Sequence, residues 1–227
     1  MSSVGVLEPQ VTASRPGRGA LVAITLAMLG AVIFVVLAAL PYFTFLFSDA
    51  PNQFVDEMSF RLYFPRRGWL LLHIAGGIVA VLAGPVQLWL GLSDRHMGLH
   101  RRLGLTYISG VAIGTVGAVA LAVRTPVGWI FGAGLLGLAT AWVITTGLAF
   151  ASIRRSLIQQ HKEWMIRSYV VTFAFVTFRV GDVVMRAAGV GEPLQNVAFL
   201  AWASWAVPLL ITEAVLQGRK IFAVKIS

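Results

Sequence analysis

The sequence predicts an all-α polytopic membrane protein with six transmembrane helices, the second to fifth forming a four-helix core. Three observations carry this. The 227 residues are 58% hydrophobic and only 12% charged, with a mean hydropathy of +0.82, too apolar for an ordinary soluble domain. The apolar residues fall into six runs of the length, about 20 residues, that a helix needs to cross about 30 Å of hydrocarbon. Between the runs lie short clusters rich in Arg and Lys, which set orientation in a membrane. The formal charge of +9 is therefore read as a topology signal; it forms no continuous basic patch, and no nucleic-acid partner is expected. The absence of cysteine excludes disulfides, iron–sulfur clusters and thiolate metal sites, so redox or metal chemistry would fall to His, carboxylates or a bound cofactor.

The spans are expected at 19–40, 69–92, 103–123, 127–153, 165–190 and 197–216. They form one domain over 19–217, flanked by a polar tail (1–18) and a short basic tail (218–227). The first run exceeds a signal-peptide core and follows a long polar lead, so it is read as an uncleaved anchor. The tight Arg124-Thr125-Pro126 connection makes the third and fourth spans antiparallel neighbours, and Pro208 is expected to kink the sixth. Twelve Lys and Arg fall on the side of the two termini. Only Arg61, Arg66, Arg67 and Arg124 fall on the other, and Arg179 and Arg186 lie inside the fifth span. By the positive-inside rule both termini are cytoplasmic. Tyr42, Phe43, Phe45, Phe47, Trp69 and Trp129 are placed near the outer interface as an aromatic belt.

Helices in lipid approach closely where side chains are small. The third span offers Gly110, Gly114, Ala118 and Ala122, and the fourth Ala133, Gly137, Ala141, Thr145 and Ala149, both at four-residue spacing. The second adds Gly77, Ala80 and Gly84, whereas the first is uniformly bulky and reads as peripheral.

In the fifth span Ser168, Thr172, Phe175, Arg179, Asp182 and Arg186 share one helical face. A charge near mid-bilayer costs roughly 2.5–3.5 kcal/mol even on lenient scales, so the stripe should face the bundle interior. Asp182 is expected between the guanidiniums of Arg179 and Arg186, either as a ladder that fixes packing or, with one positive charge left over, as an anion site. Glu213 lies toward the opposite end of the membrane and is a poor counter-charge for it.

Depth separates the four histidines. His73 lies near the outer end of the second span, about 40 Å along a helix from His100, and reads as a buried hydrogen-bonding residue. His96 and His100 at i, i+4 suit a metal clip, but Arg95, Arg101 and Arg102 repel a cation. His100 and His161 each precede an inside-to-outside span, in the loops His100-Arg101-Arg102-Leu103 and His161-Lys162-Glu163-Trp164. They are therefore level, either as interfacial residues against headgroups or as the two axial ligands of one b-type haem. Arg101, Arg102 and Arg167 would then take the propionates, and Glu163 is the one nearby acid on the fifth span to orient a ligand imidazole. Beyond haem iron, no metal is expected.

Four segments carry a family resemblance: Leu72-His73-Ile74-Ala75-Gly76-Gly77, Gly84-Pro85-Val86-Gln87-Leu88-Trp89, the run from His100 to Tyr107, and the run from His161 to Tyr169. Together they resemble a bacterial family of predicted membrane proteins catalogued as a domain of unknown function, over roughly 65–215. That resemblance implies the multi-pass architecture and a bacterial cytoplasmic (inner) membrane, and implies no activity. More loosely, six helices with His in the second, third and fifth are similar to the cytochrome b561 type. There the resemblance implies haems between helices two and four and between helices three and five. The three/five pair would be His100 and His161; the fourth span has no His, so at most one bis-His haem is implied.

The function expected is haem-linked membrane electron transfer, with a membrane redox partner or quinone. The alternatives are a scaffold, lipid-binding or complex-assembly subunit, and a transporter of a small anionic solute using the charged face of the fifth span. Whether the chain is an enzyme stays open, although hydrolase and phosphate-loop motifs are absent.

Overall fold

In a computed structural model that describes residues 18–50, 57–93 and 96–223, the chain is α-helical throughout, and no strand occurs among the described residues. The helices are α1 (Arg18–Phe34), α2 (Glu57–Tyr63), α3 (Arg67–Ser93), α4 (Met97–Val123), α5 (Trp129–Arg154), α6 (Ile158–Thr172), α7 (Ala174–Ala187) and α8 (Pro193–Ala223). Six helical segments are long and apolar enough to cross a membrane. The tail at 1–17, Arg95 and residues 224–227 lie outside the described residues.

Several helix ends extend past the hydropathy boundaries. Both α3 and α4 have 27 residues, about 40 Å at 1.5 Å per residue, which is longer than the hydrocarbon is thick. The first turns of α4 and α6 are polar, so a hydropathy window starts late there. As a result His100 and His161, expected in loops, lie on the first turns of α4 and α6.

The core is a ring of α3, α4, α5 and α6, each packed on the next and α6 returning to α3. One buried cluster joins all four: Ala80 and Ala83, Tyr107 and Val111, Trp142, and Val171. Peripheral α1 packs on α3 and sets Phe34 edge-on to Phe175 of α7. The last helix, α8, covers α5, α6 and α7 and runs unbroken through Pro208.

The α3–α4 seam runs through glycine on both sides. A methyl group on Gly76 would overlap the backbone of Gly114 and lie 2.5 Å from the Gly110 carbonyl oxygen. Of the small residues expected on the packing face of α3, Ala80 is buried against α4 and Gly84 against α6; at the seam itself Gly76 meets α4 in place of Gly77, whose Cβ position is open. Farther along α3, Gly84 gives up its side-chain volume to the Tyr169 ring of α6, and Tyr169 donates from its hydroxyl to the Val81 carbonyl at 3.2 Å.

Two interruptions depart from the simple spans. Beyond Phe34 the first span widens into a π turn (Val35–Ala39) and then tightens into a 3-10 segment (Leu40–Leu46) with Pro41 in its first turn, where a missing N–H costs least. That segment folds over the end of the bundle. Tyr42 and Phe45 are consequently buried against Leu70 and Ile74 and are core rather than belt, whereas Phe47 and Trp129 are more than four-fifths exposed. The fifth span breaks at Phe173 into α6 and α7. There the Thr172 hydroxyl donates back to the Ser168 carbonyl at 2.9 Å, a local competition that bends helices.

Candidate functional site

At the end of the bundle that carries the basic loops, α4 and α6 bring His100 and His161 together. Their ring centroids lie 6.4 Å apart, with an interplanar angle of 88°. The Nδ1 of His161 sits 2.9 Å from the carbonyl oxygen of Ala149 on α5. A carbonyl only accepts, so Nδ1 carries the proton, and in the neutral ring Nε2 holds the lone pair. The Nδ1 of His100 is buried with no partner among the described residues. Its ring lies against Gly91 of α3, where an added Cβ would come within 3.2 Å of Cε1. Gln87, buried on α3, donates to the His100 carbonyl at 2.5 Å and ties α4 to α3 at this level. Arg101 and Arg102 are exposed on the same turn. Among the described residues no three His, Asp or Glu side chains converge as a metal-ion site, and the two imidazoles stand as a pair.

Seven residues beyond each histidine, two turns deeper, lie Tyr107 on α4 and Ser168 on α6, both fully buried. The Tyr107 hydroxyl is 2.8 Å from Ser168 Oγ and 2.8 Å from Thr172 Oγ1. Thr146 Oγ1 lies 2.7 Å from Ser168 Oγ, and Trp142 Nε1 donates to Thr172 Oγ1 at 2.8 Å. The proton order follows from the one acceptor that cannot donate. Thr172 gives its proton to the Ser168 carbonyl, so Tyr107 donates to Thr172, Ser168 to Tyr107 and Thr146 to Ser168. Every hydroxyl proton is used, as membrane depth demands. Tyr107→Phe leaves the Ser168 hydroxyl without its acceptor and should cost about 1–2 kcal/mol, read as a lower unfolding midpoint in detergent. A midpoint equal to that of Tyr169→Phe, whose single bond is longer, would show that this order contributes nothing.

Arg167 does not face the histidines as a free cation. Its buried guanidinium donates to Glu213 Oε2 of α8 through Nη2 at 2.6 Å and Nε at 2.7 Å. It also lies 3.8 Å from Glu163, which is held in turn by Lys220 at 2.7 Å, and it stacks over the Trp164 ring at 4.7 Å. Two sequence expectations are corrected here. Arg167 is already neutralised and is unavailable to a propionate, and Glu163 serves Arg167 and Lys220, leaving a backbone carbonyl to orient His161.

The span-five ladder is also taken apart. Asp182, 9% exposed, pairs with Arg186 at 2.9 Å. Arg179 donates instead to the Tyr42 hydroxyl at 3.1 Å and lies over Phe175 at 5.1 Å. The break at Phe173 and the folded-back end of the first span give Arg179 a different partner from the one helical spacing suggests. His73, at the far end of α3, bonds through Nδ1 to the Gly114 carbonyl at 2.9 Å, in line with a structural role. Sequence reasoning missed the hydroxyl chain, although both histidine segments carried its signal as a polar residue seven positions after the His.

This architecture defines an all-α, multi-pass membrane protein. The sequence model of the family described as "Predicted membrane protein (DUF2306)" matches residues 70–216, well over half of the chain, and the chain belongs to that family. No curated protein and no solved structure matches it.

Proposed function

We propose that the protein is a b-type cytochrome of the membrane, carrying one haem between His100 and His161 at its basic, cytoplasm-facing end and exchanging electrons with a membrane redox partner or quinone. The observation that carries this reading is the pairing of two imidazoles from different helices at 6.4 Å. Two imidazoles trans on one metal, each about 2 Å from it, have ring centroids roughly 6 Å apart. Haem iron takes its four equatorial ligands from the porphyrin and asks the protein only for axial ones, so a two-ligand pair suffices. His161 has its proton fixed on Nδ1 and its Nε2 lone pair available, the second-shell arrangement of a ligating histidine. Arg101 and Arg102 supply positive charge for the propionates. Bound haem would supply a one-electron redox centre; the chain places both imidazoles and sets the tautomer of His161.

Protein purified in mild detergent after growth with ample haem precursor should show a Soret band and a reduced-minus-oxidised α-band. His100→Ala or His161→Ala should abolish both, whereas His73→Ala should leave them intact. Colourless wild-type protein, or haem retained in the His100→Ala/His161→Ala double variant, would defeat the proposal and favour a scaffold or lipid-binding role.

A further inference from the structure

At the end of the bundle opposite the histidine pair, the chain passes from a 3-10 segment (Phe64–Arg66) into α3. An open pocket of about 480 Å³ lies there, its walls including Arg66, Arg67, Gly68, Trp69 and Leu72. Each guanidinium in it is held to the main chain by one nitrogen. Arg66 donates through Nη1 to the Leu62 carbonyl at 2.6 Å. Arg67 donates through Nη1 to the Phe64 carbonyl at 3.4 Å and lies 4.1 Å over the Phe64 ring. On both side chains this leaves the Nε and Nη2 hydrogens, which point the same way and form the fork that grips two oxygens of one anion. Among the described residues neither arginine has an ion-pair partner. Arg61, one turn earlier, is the contrast, closed by Glu57 at 2.5 Å. Nor do Arg66 and Arg67 serve the topology signal, whose cations gather at the other end.

We propose that this pocket binds a phosphate monoester. Two adjacent forks call for more oxygens than a carboxylate carries, and the three free oxygens of a monoester, with a charge of roughly −2, match two guanidiniums. A phosphodiester brings two free oxygens and one charge. Gly68 leaves the main chain open to the ligand, since an added Cβ there would meet nothing within 4 Å. Trp69, 40% exposed, and Leu72, one turn into α3, form an apolar wall beside the arginines on the side toward the membrane. That wall suits the hydrocarbon chain of a lipid-borne ester, although a free ester carries the same phosphate chemistry. The site is remote from His100 and His161 and does not depend on haem.

The test is a calorimetric titration of the full chain in mild detergent with dihexanoyl phosphatidate, a soluble lipid phosphate monoester. Saturable binding is expected, weakened by about tenfold or more in Arg66→Gln/Arg67→Gln and unchanged in Arg154→Gln/Arg155→Gln at the opposite end. Arg66→Lys/Arg67→Lys keeps both charges and loses both forks, and should bind severalfold more weakly than wild type. Dihexanoyl phosphatidylglycerol, a phosphodiester, should bind about tenfold more weakly than phosphatidate. Inorganic phosphate identifies the source: affinity equal to that of phosphatidate supports the proposal with a free ester as ligand, and weaker binding supports it with a lipid. Absence of saturable binding, full affinity in the Gln or the Lys variant, equal affinity for phosphatidylglycerol, or loss of binding in Arg154→Gln/Arg155→Gln would each overturn it.

Discussion

Gly76→Leu should leave almost no folded protein in a detergent extract, while Gly77→Leu, one residue away, should be recovered at close to wild-type yield. The difference follows from where each Cβ points. At Gly76 a single added carbon already overlaps the α4 backbone at Gly114, and backbone cannot rotate away as a side chain can. Relief requires α3 and α4 to separate, which also opens the neighbouring contact at Gly117, where a Cβ would lie 2.5 Å from the Trp69 carbonyl oxygen. It would also stretch the His73 bond to Gly114. Overpacking a tight core costs roughly 1–3 kcal/mol, and more where backbone must move; a seam between two spanning helices belongs to the severe end. A Cβ on Gly77 meets nothing within 4 Å, so a side chain there starts in open space and displaces no backbone. Size-exclusion profiles of the two variants decide the matter. Equal recovery would mean that the two helices do not meet in this register.

Glu213→Leu should destabilise the protein strongly, and adding Arg167→Met should restore much of the loss. Breaking a buried ion pair from one side costs about 3–5 kcal/mol, because the remaining charge keeps its desolvation penalty, whereas replacing both partners by apolar groups is often neutral. The partial exposure of Glu213 places the expected cost toward the lower end of that range. Glu163 is a weak substitute: it stands 3.8 Å from Arg167 and is already held by Lys220. The thermal unfolding midpoint should therefore rank wild type highest, the double variant next and Glu213→Leu lowest. A double variant no more stable than Glu213→Leu would show that Arg167 is hydrated and indifferent to its partner.

Which features could be read in advance depended on whether they were local. Hydrophobic length and small-residue spacing are properties of one helix at a time, so the six spans, the antiparallel α4–α5 pair and the glycine-bearing face of α4 were visible before any contact was known. The same local reasoning failed for Arg179. Its i+3 neighbour Asp182 is the partner that spacing proposes, but the partner it has is Tyr42, 137 residues earlier, delivered by a 3-10 turn that hydropathy does not register. It failed at Gly76 and Gly77 because adjacent residues on a helix differ by 100° in direction, and composition alone does not say which faces a neighbour.

The candidate site divides along the same line. The sequence by itself determined that this is a six-span membrane helix bundle and that His100 and His161 stand at one depth, because rise per residue and the thickness of hydrocarbon fix both. Only the tertiary structure decided that the two rings meet, that the Ala149 carbonyl fixes the His161 tautomer, and that Arg167 belongs to Glu213. Each of these depends on the rotation and approach of separate helices, which close packing against small residues and the pairing of buried polar groups set, and no pattern within a single helix specifies them.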